Sequence, residues 1–367
     1  SASRGPPPPL GARLRDGTSL RSARPGAGTP LSALAMETQV EEANQVLSAE
    51  RLKTIPWKES VAGKEHRLLY MPFIEWQIPF MKERLGDLED MPFEESLSFQ
   101  RSPSNKPPAV IESWQFKSDK FRKIRMTYID AGTNAQVYNC VIYPDYKYDM
   151  PILGIDFLAF GKKKVLAILD FQPLTQDEEY LKKYIDPLKP LRTKYEDLCG
   201  RMSSRFYDEV QFFSQQLLFG KFDNDGPVME SLFPAFKEYL EQYIDVVEGL
   251  QPDESPESIE RVRHLQEMYD QYSAEKDPAV GLFATYWGKE WAEKFTYEFL
   301  FSSAVVPGGE EQPRAGWDQS GKLPLAVTPP KIVTGEEMPP PVTDDDEEEG
   351  KAPLDGLIAS LKSFLKL

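Results

Sequence analysis

Four consecutive strand-like segments joined by short turns constrain the fold of this chain more than any other feature. Residues 121–129, 137–143, 152–160 and 165–171 are rich in β-branched and aromatic side chains, and turn-forming Gly, Pro, Asp and Asn residues separate them. A parallel crossover needs a dozen or more residues, so connections this short predict antiparallel pairing.

Segments with apolar residues at helical spacing follow the strands. We predict helices over residues 178–183, 207–218, 234–247, 256–272 and 282–301. A run of strands followed by a run of helices predicts an α+β fold in which helices cover a sheet.

The ends of the chain differ in composition from residues 47–304, which we expect to form one folded domain. Residues 1–46 are rich in Arg, Ser and Pro and poor in acidic residues, which is typical of an organelle transit peptide, although a disordered leader fits too. Residues 305–353 are Pro-rich and then acidic, as in a disordered linker. Residues 354–367 have the apolar spacing of a short amphipathic helix.

Charge and metal-ligand content argue against several classes of function. The net charge is -16, whereas nucleic acids and anionic membranes are bound through Lys and Arg. The chain has no apolar run long enough to predict a transmembrane span. With two Cys and two His in no metal-binding spacing, a zinc site or a Cys-bound iron–sulfur cluster is not expected. A redox enzyme of this composition would need an external electron donor.

A single carboxylate interrupts the apolar strand at residues 152–160. Side-chain alternation places Asp156 on one face with Gly154 and Leu158. Loss of solvation raises the pKa of a carboxyl group in such surroundings, which makes Asp156 a candidate proton donor near neutral pH. A structural Asp bonded to backbone amides explains the same pattern, and the spacing leaves both interpretations open.

Four other polar residues also have two interpretations each. Asn139 interrupts its strand either as a satisfied buried amide or as a ligand contact. Arg125 and Thr127 share a strand face, which fits a ligand or an exposed sheet surface. Asp277 precedes Pro278 before a predicted helix, where Asp is a common N-cap residue.

Two separated motifs resemble those of the ferredoxin-dependent bilin reductases. Residues 148–156 match the pattern Y-D-x-P-x-x-G-x-D, which is followed by D-x-x-P at residues 170–173. The second motif, at residues 272–281, reads YSAEKDPAVG. Two motifs in the right order are more specific than either is separately, and the resemblance covers residues 111–301.

The resemblance implies an α/β/α sandwich with a central antiparallel sheet, and a bilin bound between the sheet and the C-terminal helices. It also implies that no metal, flavin or nicotinamide is held. Electrons would arrive singly from reduced ferredoxin, through bilin radicals. The branch that reduces biliverdin IXα at C15=C16 to 15,16-dihydrobiliverdin fits best. The phycocyanobilin-forming members carry His at the positions of Asn139 and Arg125, and Glu at that of Thr127.

The resemblance also assigns expected roles to residues. Asp156 is the first-choice proton donor, and Asp277 is a second donor or a residue that steers the substrate. Asn139 would hold pyrrole nitrogens or lactam oxygens, while Arg125 and Lys221 would bind the propionates. The expected partners are biliverdin IXα, reduced ferredoxin and the next bilin reductase of the pathway. We expect a monomer in the plastid stroma, because ferredoxin use agrees with the transit-peptide composition.

Two alternatives stay open at the level of sequence. One is a bilin reductase that forms phycoerythrobilin, and the other is a bilin-binding carrier without redox chemistry. Ferredoxin is usually acidic, as this chain is, so docking would need a local basic patch. The lysines at positions 162–164 and 182–183 are the candidates for that patch.

Overall fold

An eight-stranded sheet is the centre of the computed structural model, which describes residues 59–103, 108–161, 164–199 and 211–307. The strands are β1 (Glu89–Asp90), β2 (Phe99–Arg101), β3 (Val110–Lys117), β4 (Phe121–Asp130), β5 (Ala135–Pro144), β6 (Ile152–Phe160), β7 (Lys164–Gln172) and β8 (Leu218–Phe222). Their order is β1-β3-β4-β5-β6-β7-β8, with β2 paired to β3, and every pairing between these strands is antiparallel. The antiparallel sheet predicted from the short turns is therefore confirmed.

Helices within the described ranges come both before and after the main strands. The α-helices are α1 (Met71–Leu85), α2 (Glu95–Ser98), α3 (Glu178–Tyr184), α4 (Lys189–Lys194), α5 (Phe233–Glu248), α6 (Pro256–Lys276), α7 (Ala279–Trp287) and α8 (Lys289–Lys294). A π-helical turn, Val228–Leu232, leads into α5, and another, Phe295–Leu300, follows α8. Short 3-10 turns at Asp186–Leu188 and Glu196–Leu198 flank α4.

Helices cover both faces of the sheet because both faces are apolar. Alternate side chains of a strand point to opposite faces, so Phe157 of β6 packs with α1 and α5 on one side. Leu158, its neighbour in the strand, packs with α7, α8 and the following turn on the other side. On that second side, Tyr269 of α6 and Val141 of β5 belong to a smaller cluster of buried residues. The predicted α/β/α sandwich is therefore confirmed.

The helix predicted over residues 207–218 is wrong in its described part. Residues 211–217 form turns, and β8 begins at Leu218. The backbone N–H and the hydroxyl of Ser214 donate hydrogen bonds to Asp170 of β7, at 2.7 and 2.5 Å. These bonds hold the segment against the sheet. Its apolar residues, which are spaced as in a helix, form part of a pocket wall instead.

The predicted helix over residues 282–301 is interrupted at Gly288. Its φ of +89° is a conformation that non-glycine residues rarely adopt, and it ends α7 after Trp287. Beyond α8, the backbone continues as the π-helical turn. Both sides of the break pack on the sheet through Phe283 and Phe295, whose rings meet edge to face at 5.1 Å.

The predictions for the ends of the chain lie outside the described residues, apart from residues 305–307. They remain predictions for the transit peptide at residues 1–46, the linker at 305–353 and the amphipathic helix at 354–367. Among the described helices, none combines the length and the apolar character that crossing a membrane requires.

Candidate active site

A deep pocket separates the centre of the sheet from α6, α7 and the turns at residues 211–217. The space between its walls is about 1090 Å³ when the open mouth is included. Most of its wall is apolar or aromatic. Its polar and charged lining residues are Arg125, Thr127, Asn139, Asp156, Gln172, Ser273 and Asp277, together with the hydroxyls of Tyr269 and Tyr272.

Asn139 and Asp156 are directly opposite each other on neighbouring strands at the floor of this pocket. They are paired in the register of β5 and β6. All the remaining residues of these two strands are buried, whereas Asn139 and Asp156 stay partly accessible. The pocket is the reason for this accessibility, since both side chains line it. Asp156 thus lies on the pocket side of its strand together with Gly154 and Leu158, as the side-chain alternation predicts.

Three polar side chains form a hydrogen-bonded chain across β4, β5 and β6. Arg125 Nη1 donates to Asn139 Oδ1 at 2.5 Å, and Asn139 Nδ2 donates to Asp156 Oδ1 at 3.1 Å. These two bonds fix the orientation of the Asn139 carboxamide. The guanidinium of Arg125 is buried and lies 5.0 Å from the ring centre of Phe301. Its Nε is buried and has no hydrogen-bond partner within the described ranges.

Burial controls the protonation of Asp156. It raises the pKa of this carboxyl to about 7, and the negative charge of Asp277 acts in the same direction. The hydrogen bond from Asn139 and the charge of Arg125 oppose the rise without cancelling it. Asp156 can therefore hold a proton near neutral pH and release it to a bound molecule.

Asp277 reaches the pocket from the helical side. Its Oδ1 accepts the backbone N–H of Ala279, the first residue of α7, at 2.8 Å. The prediction that Asp277 is the N-cap residue, with Pro278 as the first helical residue, is wrong, because Pro278 itself is the N-cap residue of α7. Burial raises the pKa of Asp277, while the Ala279 bond and Arg125 oppose the rise. Asp277 therefore combines a hydrogen bond to the start of α7 with a place in the pocket wall.

The lysines predicted from the sequence lie away from the pocket. Lys221 is exposed on β8, and its Nζ is 5.5 Å from the ring centre of Phe219, but it does not line the pocket. Lys164 forms an ion pair with Asp223 at 2.6 Å, and positions 162 and 163 are outside the described residues. Lys182–Lys183 are exposed in the last turn of α3.

Tyr269 and Gln172 are two of the pocket residues that were not predicted as site residues from the sequence. Tyr269 of α6 donates its hydroxyl to Gln172 Oε1 at 2.6 Å, and both side chains line the pocket. Gln172 lies within the D-x-x-P motif, which was a signal that could have drawn attention to it. Tyr269 precedes the second motif and had no comparable signal. Among the described residues, no group of three or more His, Cys, Asp and Glu side chains could hold a metal ion.

Comparison with known proteins shows the family to which this chain belongs. The family profile described as ferredoxin-dependent bilin reductase matches residues 80–302. A protein of Nostoc punctiforme named 15,16-dihydrobiliverdin:ferredoxin oxidoreductase is 49% identical over 65% of this chain and 96% of its own length. The protein of that name in Gloeobacter violaceus is 44% identical over 65% of this chain and 96% of its own length.

A solved structure shows the same fold. The crystal structure of tomato phytochromobilin synthase in complex with biliverdin superposes with a TM-score of 0.60 at 24% identity. The match covers 66% of this chain and 85% of the tomato chain. With a profile match across most of the described body, the chain belongs to the ferredoxin-dependent bilin reductase family, as the two sequence motifs predict.

Proposed function

We propose that this protein uses reduced ferredoxin to reduce biliverdin IXα at the C15=C16 bond, giving 15,16-dihydrobiliverdin for phycobilin synthesis. The observation that carries the proposal is a carboxyl group with a pKa of about 7, held by Asn139 on the floor of a largely apolar pocket. The curated relatives carry the name of this reaction. The tomato enzyme of the same fold was crystallised in complex with biliverdin.

The reaction needs two electrons and two protons. Two reduced ferredoxins supply one electron each, and bilin radicals connect the two steps. Asp156 donates the first proton, because its carboxyl lines the pocket and has a pKa of about 7. Asp277 donates the second proton or steers the substrate from the opposite wall. Each acid regains its proton from water at the pocket mouth.

The pocket suits a planar tetrapyrrole with acidic side chains. Val137 and Val141 flank Asn139 on the same face of β5, and they provide an apolar floor for the bilin. Asn139 is placed to hold pyrrole nitrogens or lactam oxygens next to Asp156. Arg125 provides a buried positive charge for a propionate. Because Lys221 does not line the pocket, we propose that it contacts a propionate only where that group reaches the edge of the sheet.

The proposal also covers the docking of ferredoxin, the transfer of the product and the location of the protein in the cell. Ferredoxin is proposed to dock at Lys182–Lys183, and the product is proposed to pass to the next bilin reductase. We propose that the protein works as a monomer in the plastid stroma. The composition of residues 1–46 supports this location, and import of a reporter fused to these residues into isolated plastids would test it.

The proposed reaction can be tested by anaerobic turnover of biliverdin IXα with a reduced-ferredoxin system, followed by absorbance and product chromatography. We expect 15,16-dihydrobiliverdin as the product. Phycoerythrobilin would place the chain in another branch of the family. Binding of biliverdin without reduction would instead support a carrier without redox chemistry.

A further inference from the structure

The carboxamide of Gln172 packs against Gly154, and both residues line the pocket. A Cβ atom added to Gly154 would be 2.3 Å from Gln172 Oε1 and 2.6 Å from its Cδ. No side chain can occupy position 154 unless Gln172 moves away. The glycine of the Y-D-x-P-x-x-G-x-D motif is therefore required for a close side-chain approach, and its φ is not in the left-handed region.

The Tyr269 hydroxyl fixes the direction of this carboxamide. It donates to Gln172 Oε1 at 2.6 Å in a buried bond that links α6 to the end of β7. With Oε1 engaged by Tyr269, the Nε2 group must point elsewhere. The described residues provide no acceptor for Nε2, and Gln172 lines the pocket. An N–H donor is thus held in place at the surface where a bilin would lie.

The position of this donor relative to Asp156 follows from the sheet. Gly154 and Asp156 are two residues apart on one face, which corresponds to roughly 7 Å. Arg125 of β4 pairs with Val141 of β5, and Val141 pairs with Gly154 of β6. The backbone of Arg125 is therefore two strands from that of Gly154, at a distance of roughly 10 Å. The donor of Gln172, the cation of Arg125 and the acid of Asp156 form a triangle on the pocket floor.

We propose that Gln172 is a substrate-positioning residue whose Nε2 donates a hydrogen bond to a terminal lactam carbonyl of the bilin, with Tyr269 and Gly154 holding the amide in place. This inference rests on the proposed function. A neutral donor suits a neutral carbonyl. A propionate would be less favourable there, because Arg125 offers a cation elsewhere in the pocket. The contact fixes how the bilin is turned relative to Asp156.

Gln172→Glu tests the contact directly, because it keeps the shape and the Tyr269 bond but replaces the donor with an acceptor. We expect KM for biliverdin IXα to rise about tenfold, with an altered absorbance spectrum of the bound bilin. Tyr269→Phe should raise KM about threefold by freeing the amide. Tyr286→Phe is the matched control, because its buried hydroxyl has no partner within the described ranges, and its KM should not change.

A substrate with esterified propionates distinguishes a contact of Gln172 with a lactam from a contact with a propionate. With biliverdin dimethyl ester, the ratio of KM between Gln172→Glu and the unaltered protein should stay near tenfold if the amide contacts a lactam. A ratio that falls to one would assign the contact to a propionate and overturn the proposal.

Gly154→Ala gives an independent test. It should raise KM by itself, but it should add little in a Gln172→Ala background, because both changes remove the same contact. Independent, additive effects would overturn the assigned role of Gly154. An unaltered protein that fails to reduce biliverdin refutes the proposed function and this inference together. An active protein whose KM is insensitive to Gln172→Glu overturns this inference alone.

Discussion

Replacing Asp156 with Asn should stabilise the protein at neutral and alkaline pH while it removes activity. Burial moves the pKa of this carboxyl from its ordinary value of 3.8 to about 7, which corresponds to about 4 kcal/mol between the two protonation states. Because Asp156 is partly accessible from the pocket, water screens part of this cost. We therefore expect a gain of about 2–4 kcal/mol in the free energy of unfolding at pH 8.

The sign of the effect depends on pH. Below pH 3.8 the carboxyl is protonated in both the folded and the unfolded states, so Asp156→Asn should have no effect through ionisation. As the pH rises from 3.8 through about 7, the unfolded state ionises first and the native protein loses stability relative to the variant. Above about pH 7 the difference should be constant.

Urea unfolding between pH 5 and pH 9 measures this difference, and anaerobic turnover measures the loss of the proton donor. Loss of a general acid should lower turnover at least about a hundredfold. Asp186→Asn is the control, since this exposed carboxyl, paired with Lys189, should change the free energy of unfolding by less than about 0.5 kcal/mol at every pH. A variant at Asp156 that is no more stable at pH 8, or that keeps its turnover, would refute the reasoning.

Three further predictions concern the same pocket and its electron donor. Asp277→Ala should lower turnover and cost about 1 kcal/mol of stability, because the bond to Ala279 is lost; Asp277→Asn should lower turnover but keep the stability in a thermal melt. Arg125→Lys should raise KM for biliverdin about tenfold by removing the bond to Asn139 and a bidentate site, and an unchanged KM would exclude a propionate contact. At subsaturating ferredoxin, turnover should fall as salt rises, and charge reversal of Lys182–Lys183 should remove that salt dependence.

Much of the sheet could be predicted from the sequence because its determinants are local. Alternation within residues 152–160 is sufficient to place Asp156 and Gly154 on one face, and the short turns determine the order of the strands from β4 to β7. The turns at residues 211–217, where the sequence predicted part of a helix, could not be predicted in this way. These residues are held by the bond between Ser214 and Asp170, which are far apart in sequence.

The sequence by itself also determined the family and the candidate acid, since both depend on motifs that can be read along the chain. Only the tertiary structure decided which polar groups meet. Strand register places Asn139 opposite Asp156, and a bond between α6 and β7 places Tyr269 on Gln172. The exposed position of Lys221 was likewise a result of the fold. Such contacts join residues distant in sequence, and their distances follow from how the layers pack rather than from local propensity.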